Sequence, residues 1–390
     1  MDFTSISEFY TPKKILFGID CVNKLSEEVK TLKANRPLLV TDRGVVEAGL
    51  LDCVSGVLKK ASIDFVVFDK IEPNPTMPSV HEGADLYKSE KCDSIIALGG
   101  GSPMDAAKAI GVKATHEGDI IQYTRRGGKP VQDITPSLIA IPTTSGTGSE
   151  VTRFSVLTNP EEKIKMVIAT PVITADVAIV DPALTRSMPP SITAFTGMDA
   201  LTHAVESYIS NKATTLTETL AIKAIELIGT NLRQAVANGE NMEARSNMIL
   251  ASMMAGMAFA NSSVGTVHAV AHALGGYFNI AHGVANALML PYVMRYNLIA
   301  CPEKFEDIAM ALGENVNRLT EMEAALKSVE SVEKLSGDIG VPKNLKQLGA
   351  DPNRIEDLVS ESEKQGAYNL SPRKPTRDAT TQMFRDAFNA

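Results

Sequence analysis

Ser94-Ile95-Ile96-Ala97-Leu98-Gly99-Gly100-Gly101-Ser102-Pro103-Met104-Asp105-Ala106-Ala107-Lys108 is the stretch that decides the fold. Its first five residues form an apolar run of strand length, and three glycines end it. Ser102 and Pro103 then read as the cap and first turn of a helix, with Asp105 placed for a capping box. A strand that passes through glycines into a helix is the repeating unit of a parallel sheet. Glycines without Cβ let backbone N–H groups approach an anion, and a helix N-terminus adds a favourable field. The spacing is neither the G-x-G-x-x-G of the common dinucleotide fold nor a Walker loop. Taken alone, such a turn serves a tight connection as readily as it binds a phosphate.

The flanking sequence extends the pattern. Strands are expected at 37–41, 64–68 and 137–141, with helical spacing over 45–61 and 80–91, so the sheet is parallel and covered on both faces. Residues 154–157 and 165–169, separated by Thr158-Asn159-Pro160, read as a hairpin inserted late in this half. Pro142-Thr143-Thr144-Ser145-Gly146-Thr147-Gly148-Ser149-Glu150 is a second loop rich in glycine and hydroxyls, following the next strand. Two such loops at neighbouring strand ends mark the place where open α/β sheets bind ligands. Asp42, at the end of the first strand, is positioned to accept from a ribose diol and to repel a 2′-phosphate, which favours NAD over NADP. Its alternative role is a turn or cap residue.

After Asp181-Pro182 the texture changes. Met188-Pro189-Pro190-Ser191 is a helix-start signal, and from there to Ala390 the periodicity is helical. Two domains are expected, an NAD-binding α/β domain over 1–187 and an all-α, metal-binding and catalytic domain over 188–390. Between 246 and 294 there is no Asp, Glu, Lys or Arg, yet this span holds His268, His272 and His282, three of the six histidines. Asn261-Ser262-Ser263, Gly275-Gly276 and Asn279 interrupt it too often for a membrane hairpin, which leaves buried helices around a site. Asp199 and His203 are four residues apart, as are His268 and His272, so each pair shares a helix face. Gly275-Gly276 is expected to break the second of these helices, and His282-Gly283 to open a third. Imidazoles with one carboxylate suit Fe²⁺ or Zn²⁺, whereas Mg²⁺ or Ca²⁺ call for more oxygen ligands. A divalent ion moves the pKa of a bound water from about 15.7 to about 7, more than a lone general base offers to alcohol chemistry.

The net charge of −8, with no Lys/Arg-rich run, argues against a nucleic-acid partner. Cys21, Cys53, Cys92 and Cys301 are scattered and read as reduced thiols of a cytoplasmic protein. Residues 1–10 carry Asp2 and Glu8 and lack an apolar core, so no secretory leader is expected.

Four motifs together resemble the iron-dependent (group III) alcohol dehydrogenases. They are Gly-Gly-Gly-Ser-Pro-Met-Asp from Gly99, Pro-Thr-Thr-Ser-Gly-Thr-Gly-Ser-Glu-Val-Thr from Pro142, Gly-Met-Asp-Ala-Leu-Thr-His-Ala-Val-Glu from Gly197, and His268-x3-His272 followed by His282-Gly-Val-Ala-Asn. The resemblance runs from about Tyr10 to Phe388 and is nearest the branch of lactaldehyde reductases and 1,3-propanediol dehydrogenases. It implies an N-terminal Rossmann-like α/β domain and a helical C-terminal domain, the fold shared with dehydroquinate synthase. It implies metal ligands at Asp199, His203, His268 and His282. His272 matches a non-ligand histidine, a candidate for proton relay or for shaping the pocket. Cofactor positions fall on Asp42, Asn74, Gly100, Gly101, Ser102, Thr143, Thr144, Thr147, Lys165, Leu184 and Met188, and pocket walls on Phe154, Phe259 and Ala367. Thr147-Gly148, where many members have Thr-Ala, is a mild departure. The activity implied is hydride transfer between NAD(H) and a small primary alcohol, diol or aldehyde, with Fe²⁺ or another divalent metal such as Zn²⁺. Homodimers or larger homo-oligomers are implied, without a membrane partner. Arg153 raises the alternative of an anionic aldehyde such as sulfoacetaldehyde, and glycerol dehydrogenase-like polyol oxidation is a further alternative.

Overall fold

The computed structural model describes residues 6–162 and 164–390. Met1 and Asp2, part of the stretch read for a leader, lie outside them. The chain divides into two compact units, Tyr10–Met188 and Pro189–Ala390, the latter with the described residues before Tyr10. Met188 thus closes the first unit instead of opening the second. Pro189 and Pro190 follow it, and the second of these is the first residue of a helix.

The first unit holds β1 (Lys14–Phe17), α1 (Leu25–Thr31), β2 (Pro37–Asp42), α2 (Arg43–Glu47), α3 (Leu50–Lys60), β3 (Val66–Ile71), α4 (Met77–Ser89), β4 (Ser94–Gly99), α5 (Gly101–Thr115), β5 (Ser137–Pro142), β6 (Phe154–Asn159), β7 (Ile164–Ala169) and β8 (Val177–Val180). Six strands form one parallel sheet in the order β1-β8-β5-β4-β2-β3. β6 and β7 pair antiparallel in a separate hairpin. β2, β4, β5 and β8 are buried nearly end to end, which is why the first three read as continuous apolar runs. Alternate residues serve opposite faces: Ile95 and Ala97 join one core with Met104 and Ile110, while Ile96 and Leu98 join another with Leu25 and Leu58. β1 and β8 were not anticipated. Each has only four residues, too short for a periodicity to stand out. The single helix expected over 45–61 is split into α2 and α3 at Gly49, whose φ of 74° no helix accommodates.

The second unit is helical: α6 (Pro190–Ile209), α7 (Thr215–Ala237), α8 (Met242–Asn261), α9 (Thr266–Phe278), α10 (His282–Asn297), α11 (Pro302–Ala311), α12 (Glu321–Asp338), α13 (Ile355–Glu363) and α14 (Arg377–Asn389). The uncharged span becomes α8, α9 and α10, whose Ala251, Ala255, Val270, Leu274, Leu288 and Leu290 lie in the core. A helix apolar around most of its circumference belongs in such a place. No single described helix is long and apolar enough to cross a membrane. α8 and α9 pass that test only as a pair bent by 101°. Gly275-Gly276 does not break α9. The helix runs through both and ends at Asn279, which takes the left-handed conformation at φ 53°.

Candidate metal centre and nucleotide cradle

Each donor of the metal centre comes from a different helix. Asp199 lies in the middle of α6, His268 on the first turn of α9, and His282 is the first residue of α10. One ligand atom from each lies within 4.8 Å of the other two. The side chains of Asp199 and His268 are each 4% exposed, while His282 at 28% forms the open edge. Gly283 sets how closely α10 starts against α6: a Cβ there would stand 2.6 Å from the carbonyl oxygen of Phe195.

Two neighbours tune these donors. Glu206, two turns beyond Asp199 on α6, accepts from His268 Nδ1 at 2.6 Å. A buried carboxylate on Nδ1 fixes the tautomer that leaves the Nε2 lone pair free. Asn286, one turn after His282 and fully buried, aims its amide nitrogen at all three donors. It lies 2.6 Å from Asp199 Oδ1, 3.1 Å from His282 Nε2 and 3.3 Å from His268 Nε2. An amide has two hydrogens, so it cannot satisfy three acceptors. Acceptor lone pairs therefore converge on one buried point, as a cation requires. Two imidazole nitrogens and a carboxylate form a donor set that fits Fe²⁺ or Zn²⁺.

His203 stands beside this trio. Its ring stacks on His268 with centroids 4.6 Å apart and on Phe259 at 4.3 Å. The structure thus gathers donors from three helices, with His203 face to face against one of them. His272 lies outside the trio, 5.2 Å from the His282 ring and 6.4 Å from that of His268. Its Nδ1 is 3.5 Å from Gln365 Oε1, and Ala367 occupies the turn just beyond.

In the α/β unit the cradle forms where β5, β4 and β2 lie side by side. The chain goes from β2 outward to β3 at one edge, and from β4 in the opposite direction to β5, and ligands of open sheets bind at such a switch. Asp42, the Gly99-Gly100-Gly101-Ser102 loop and the Thr143–Thr147 loop leave the C-terminal ends of these three strands. Thr143 N–H donates to the Gly99 carbonyl at 3.0 Å. A Cβ on Gly101 would stand 2.9 Å from Thr147 Cγ2, and one on Gly100 3.2 Å from Thr144 Cγ2. Glycine at 101, and less strictly at 100, lets the two loops pack this closely. Asn74, held at φ 58°, donates its N–H to Ser102 Oγ at 3.3 Å.

Helix α5 starts earlier than its sequence suggests. Gly100 is the cap residue, no side chain caps it, and Ser102 is already helical. The first N–H groups of α5 are thus left for an anion. Ser145 Oγ in the neighbouring loop is buried with no partner among the described residues. Both features fit a pyrophosphate. Asp105 makes no capping box. Its carboxylate accepts from Ser149 Oγ at 2.7 Å and from Val156 N–H at 2.9 Å, tying the second loop down.

Asp42 does serve as a cap, accepting from Val45 N–H at 2.9 Å with Oδ1. Burial raises its pKa, against the pull of the Val45 and Gly44 amides. Lys165 sits on β7, and its charge helps offset the burial that raises Asp105. Leu184 and Met188 are buried in and just after the turn Pro182–Thr185. Phe154 opens β6, with the Arg125 guanidinium 5.7 Å and that of Arg153 5.9 Å from its ring centre. Arg153 also stacks over Tyr10 at 5.0 Å.

Lys108 was not anticipated as more than a helical residue. Its buried ammonium lies 2.7 Å from Ser149 O, 2.9 Å from Ser149 Oγ and Phe154 O, and 3.1 Å from Thr152 Oγ1, four acceptors for its three hydrogens. Burial pushes it down to about 8, against the pull of Asp105 and Glu150. Glu150, whose Oε1 has no hydrogen-bond partner among the described residues, is pushed up by burial to about 7. Glu206 and Asn286 were also missed. Their signals were available: Asp199 and Glu206 are the only charged residues of α6, and Asn286 lies one turn from His282.

A glycine-rich cradle on a parallel sheet and a buried His/carboxylate cluster among helices are the parts that a metal-assisted, nucleotide-linked enzyme needs. Residues 12–182 match the family described as iron-containing alcohol dehydrogenase, and 193–388 match the Fe-containing alcohol dehydrogenase family, C-terminal. The chain belongs to the iron-containing alcohol dehydrogenase family. It is 46% identical over 383 residues to 1,3-propanediol dehydrogenase of Citrobacter freundii, covering 98% of each chain. It is 38% identical to the NAD-dependent methanol dehydrogenase of Bacillus methanolicus, covering 98% of this chain and all of that one. The crystal structure of a 1,3-propanediol oxidoreductase superposes with a TM-score of 0.96 at 44% identity, over 98% of this chain and all of the other.

Proposed function

We propose that the chain is an NAD(H)-linked, iron-dependent alcohol dehydrogenase acting on a small primary alcohol, diol or the matching aldehyde. The observation that carries this reading is the convergence of Asp199, His268 and His282 on one buried point. His203 completes the proposed ligand set from beside His268. When bound, the divalent ion supplies Lewis-acid stabilisation of charge on the substrate oxygen, and the nicotinamide supplies or accepts the hydride.

The protein's own groups do the rest. Asp199 offsets part of the positive charge, and Glu206 keeps His268 Nε2 directed at the centre. His272, outside the trio and near Gln365, is the proposed proton relay. The uncapped N-terminus of α5, with Ser102, Thr143, Thr144 and Thr147, holds the pyrophosphate, and Asn74 orders Ser102. Asp42, already partly used as a cap, receives the ribose hydroxyls with its remaining oxygen. Lys165, Leu184 and Met188 complete the proposed cofactor contacts. Phe259, stacked on His203, Ala367 beside Gln365, and Phe154 are the proposed pocket walls.

The reading includes a cytoplasmic homo-oligomer with no nucleic-acid or membrane partner. The acidic net charge supports the absence of a nucleic-acid partner, and the four free cysteines support the cytoplasmic placement. The test follows NADH absorbance at 340 nm with short aldehydes, diols and anionic aldehydes, with Fe²⁺ or with chelator. Oxidation that depends on metal and favours uncharged short substrates is expected. No oxidation of NADH with any aldehyde in the presence of Fe²⁺ would overturn the reading.

A further inference from the structure

Glu206 stands outside the proposed ligand set, yet its carboxylate is held at both oxygens. Its side chain is 2% exposed and its carboxylate accepts three hydrogen bonds. Oε1 accepts from Val267 N–H at 2.5 Å, and Oε2 accepts from Gly265 N–H at 2.8 Å and from His268 Nδ1 at 2.6 Å. Gly265 is the cap residue of α9 and has no side chain to close the helix. A carboxylate from α6 therefore performs the capping from another helix. A Cβ at position 265 would stand 2.9 Å from Glu206 Oε1, so glycine there is what admits the carboxylate.

The arrangement joins two tasks in one group. α6 carries Asp199 directly and reaches His268 through Glu206, so the separation of two proposed ligands on different helices is set by one side chain. A buried carboxylate would be costly alone, and the two backbone donors and the imidazole are its compensation. On Nδ1, the carboxylate also raises the basicity of the opposite nitrogen, the one that faces the centre.

We propose that Glu206 is the positioning residue that sets the metal affinity of the site, acting through His268. The proposal rests on the metal reading above. A purely structural role would be confined to capping α9. The two roles separate because α9 has another capping contact that does not touch His268: Thr266 N–H donates to Ser371 Oγ at 3.1 Å.

The experiment uses the full chain, freed of metal and titrated with Co²⁺, whose visible absorption reports its ligands. Native protein, Glu206→Gln and Ser371→Ala are compared for Co²⁺ affinity and for the melting temperature of the metal-free form. Glu206→Gln is expected to weaken Co²⁺ binding roughly 10- to 100-fold and to shift the absorption bands. Ser371→Ala is expected to lower the melting temperature while leaving affinity and spectrum unchanged. If Glu206→Gln melts earlier yet binds Co²⁺ with native affinity and spectrum, Glu206 is only a cap and the proposal is wrong. Should Glu206→Gln not fold, Glu206→Asp, which keeps the charge but retracts it, is measured in the same way, with the same loss expected and native affinity overturning the proposal. A native chain that takes up no Co²⁺ overturns the metal reading itself, and the proposal with it.

Discussion

The nucleotide cradle and the metal centre solve opposite problems. The cradle is made largely of backbone. Gly100 and Gly101 clear space, the uncapped start of α5 presents N–H groups, and Thr144 and Thr147 close against the glycines. The metal centre is made of side chains from α6, α9 and α10, each aimed by another side chain. A phosphate with several oxygens is met by many weak donors, and no single one dominates. A small cation needs a few strong donors at fixed separations. Loss of one group is therefore expected to be graded in the cradle and abrupt in the metal centre.

The largest effect tests that abruptness. His268→Ala should lower turnover roughly a thousandfold or more and reduce metal content, while NADH still binds. Normal metal content with native turnover would remove His268 from the ligand set. Next comes the clamp beneath the cradle. Lys108→Met removes an ammonium that meets four acceptors, and should cost about 3 kcal/mol of stability with weakened NADH binding. A native melting temperature would show that the loop holds itself.

Gly101→Val should weaken NADH binding about tenfold or more through collision with Thr147, with metal content intact. Fluorescence titration with NADH and metal analysis of the same sample separate the two units. Unchanged NADH affinity would count against the cradle.

The Glu150 effect depends on pH. Burial raises its pKa from 4.5 to about 7, so the folded state holds the proton more tightly than the unfolded one. The stability this brings is full below about 4.5 and is lost as pH rises through about 7. Glu150→Gln should therefore remove a fall in stability on the order of 3 kcal/mol across that window. Denaturant melts at pH 5 and pH 8 check it, and an equal change at both would refute it. Asp42→Gly is expected to be smallest. It should raise NADP use relative to NAD by several-fold and cost a few tenths of a kcal/mol as a lost cap. An unchanged NADP/NAD ratio of kcat/KM would leave Asp42 as a cap alone.

The same contrast governs what could be read beforehand. β2, β4 and β5 were anticipated to within a residue because strands buried on both faces are continuous apolar runs. The short strands β1 and β8 were missed, and the α2–α3 break depends on the left-handed Gly49. Ser102 was misread as the cap because serine is the commoner choice there. In the structure glycine takes that place, which leaves the helix end open. Gly275-Gly276 was misread as a break because packing holds α9 together where propensity alone would not.

Sequence by itself determined the strand–glycine–helix unit, the change to helical texture near residue 188, and an uncharged span in which histidines need a partner. Those features depend on neighbours along the chain, where periodicity and turn chemistry act. Only the tertiary structure decided that Asp199, His268 and His282 meet around Asn286, with His203 stacked alongside. It alone placed Glu206 on His268 and Lys108 beneath the second loop. Which donors converge is fixed by how helices distant in sequence pack, and no local pattern encodes that distance.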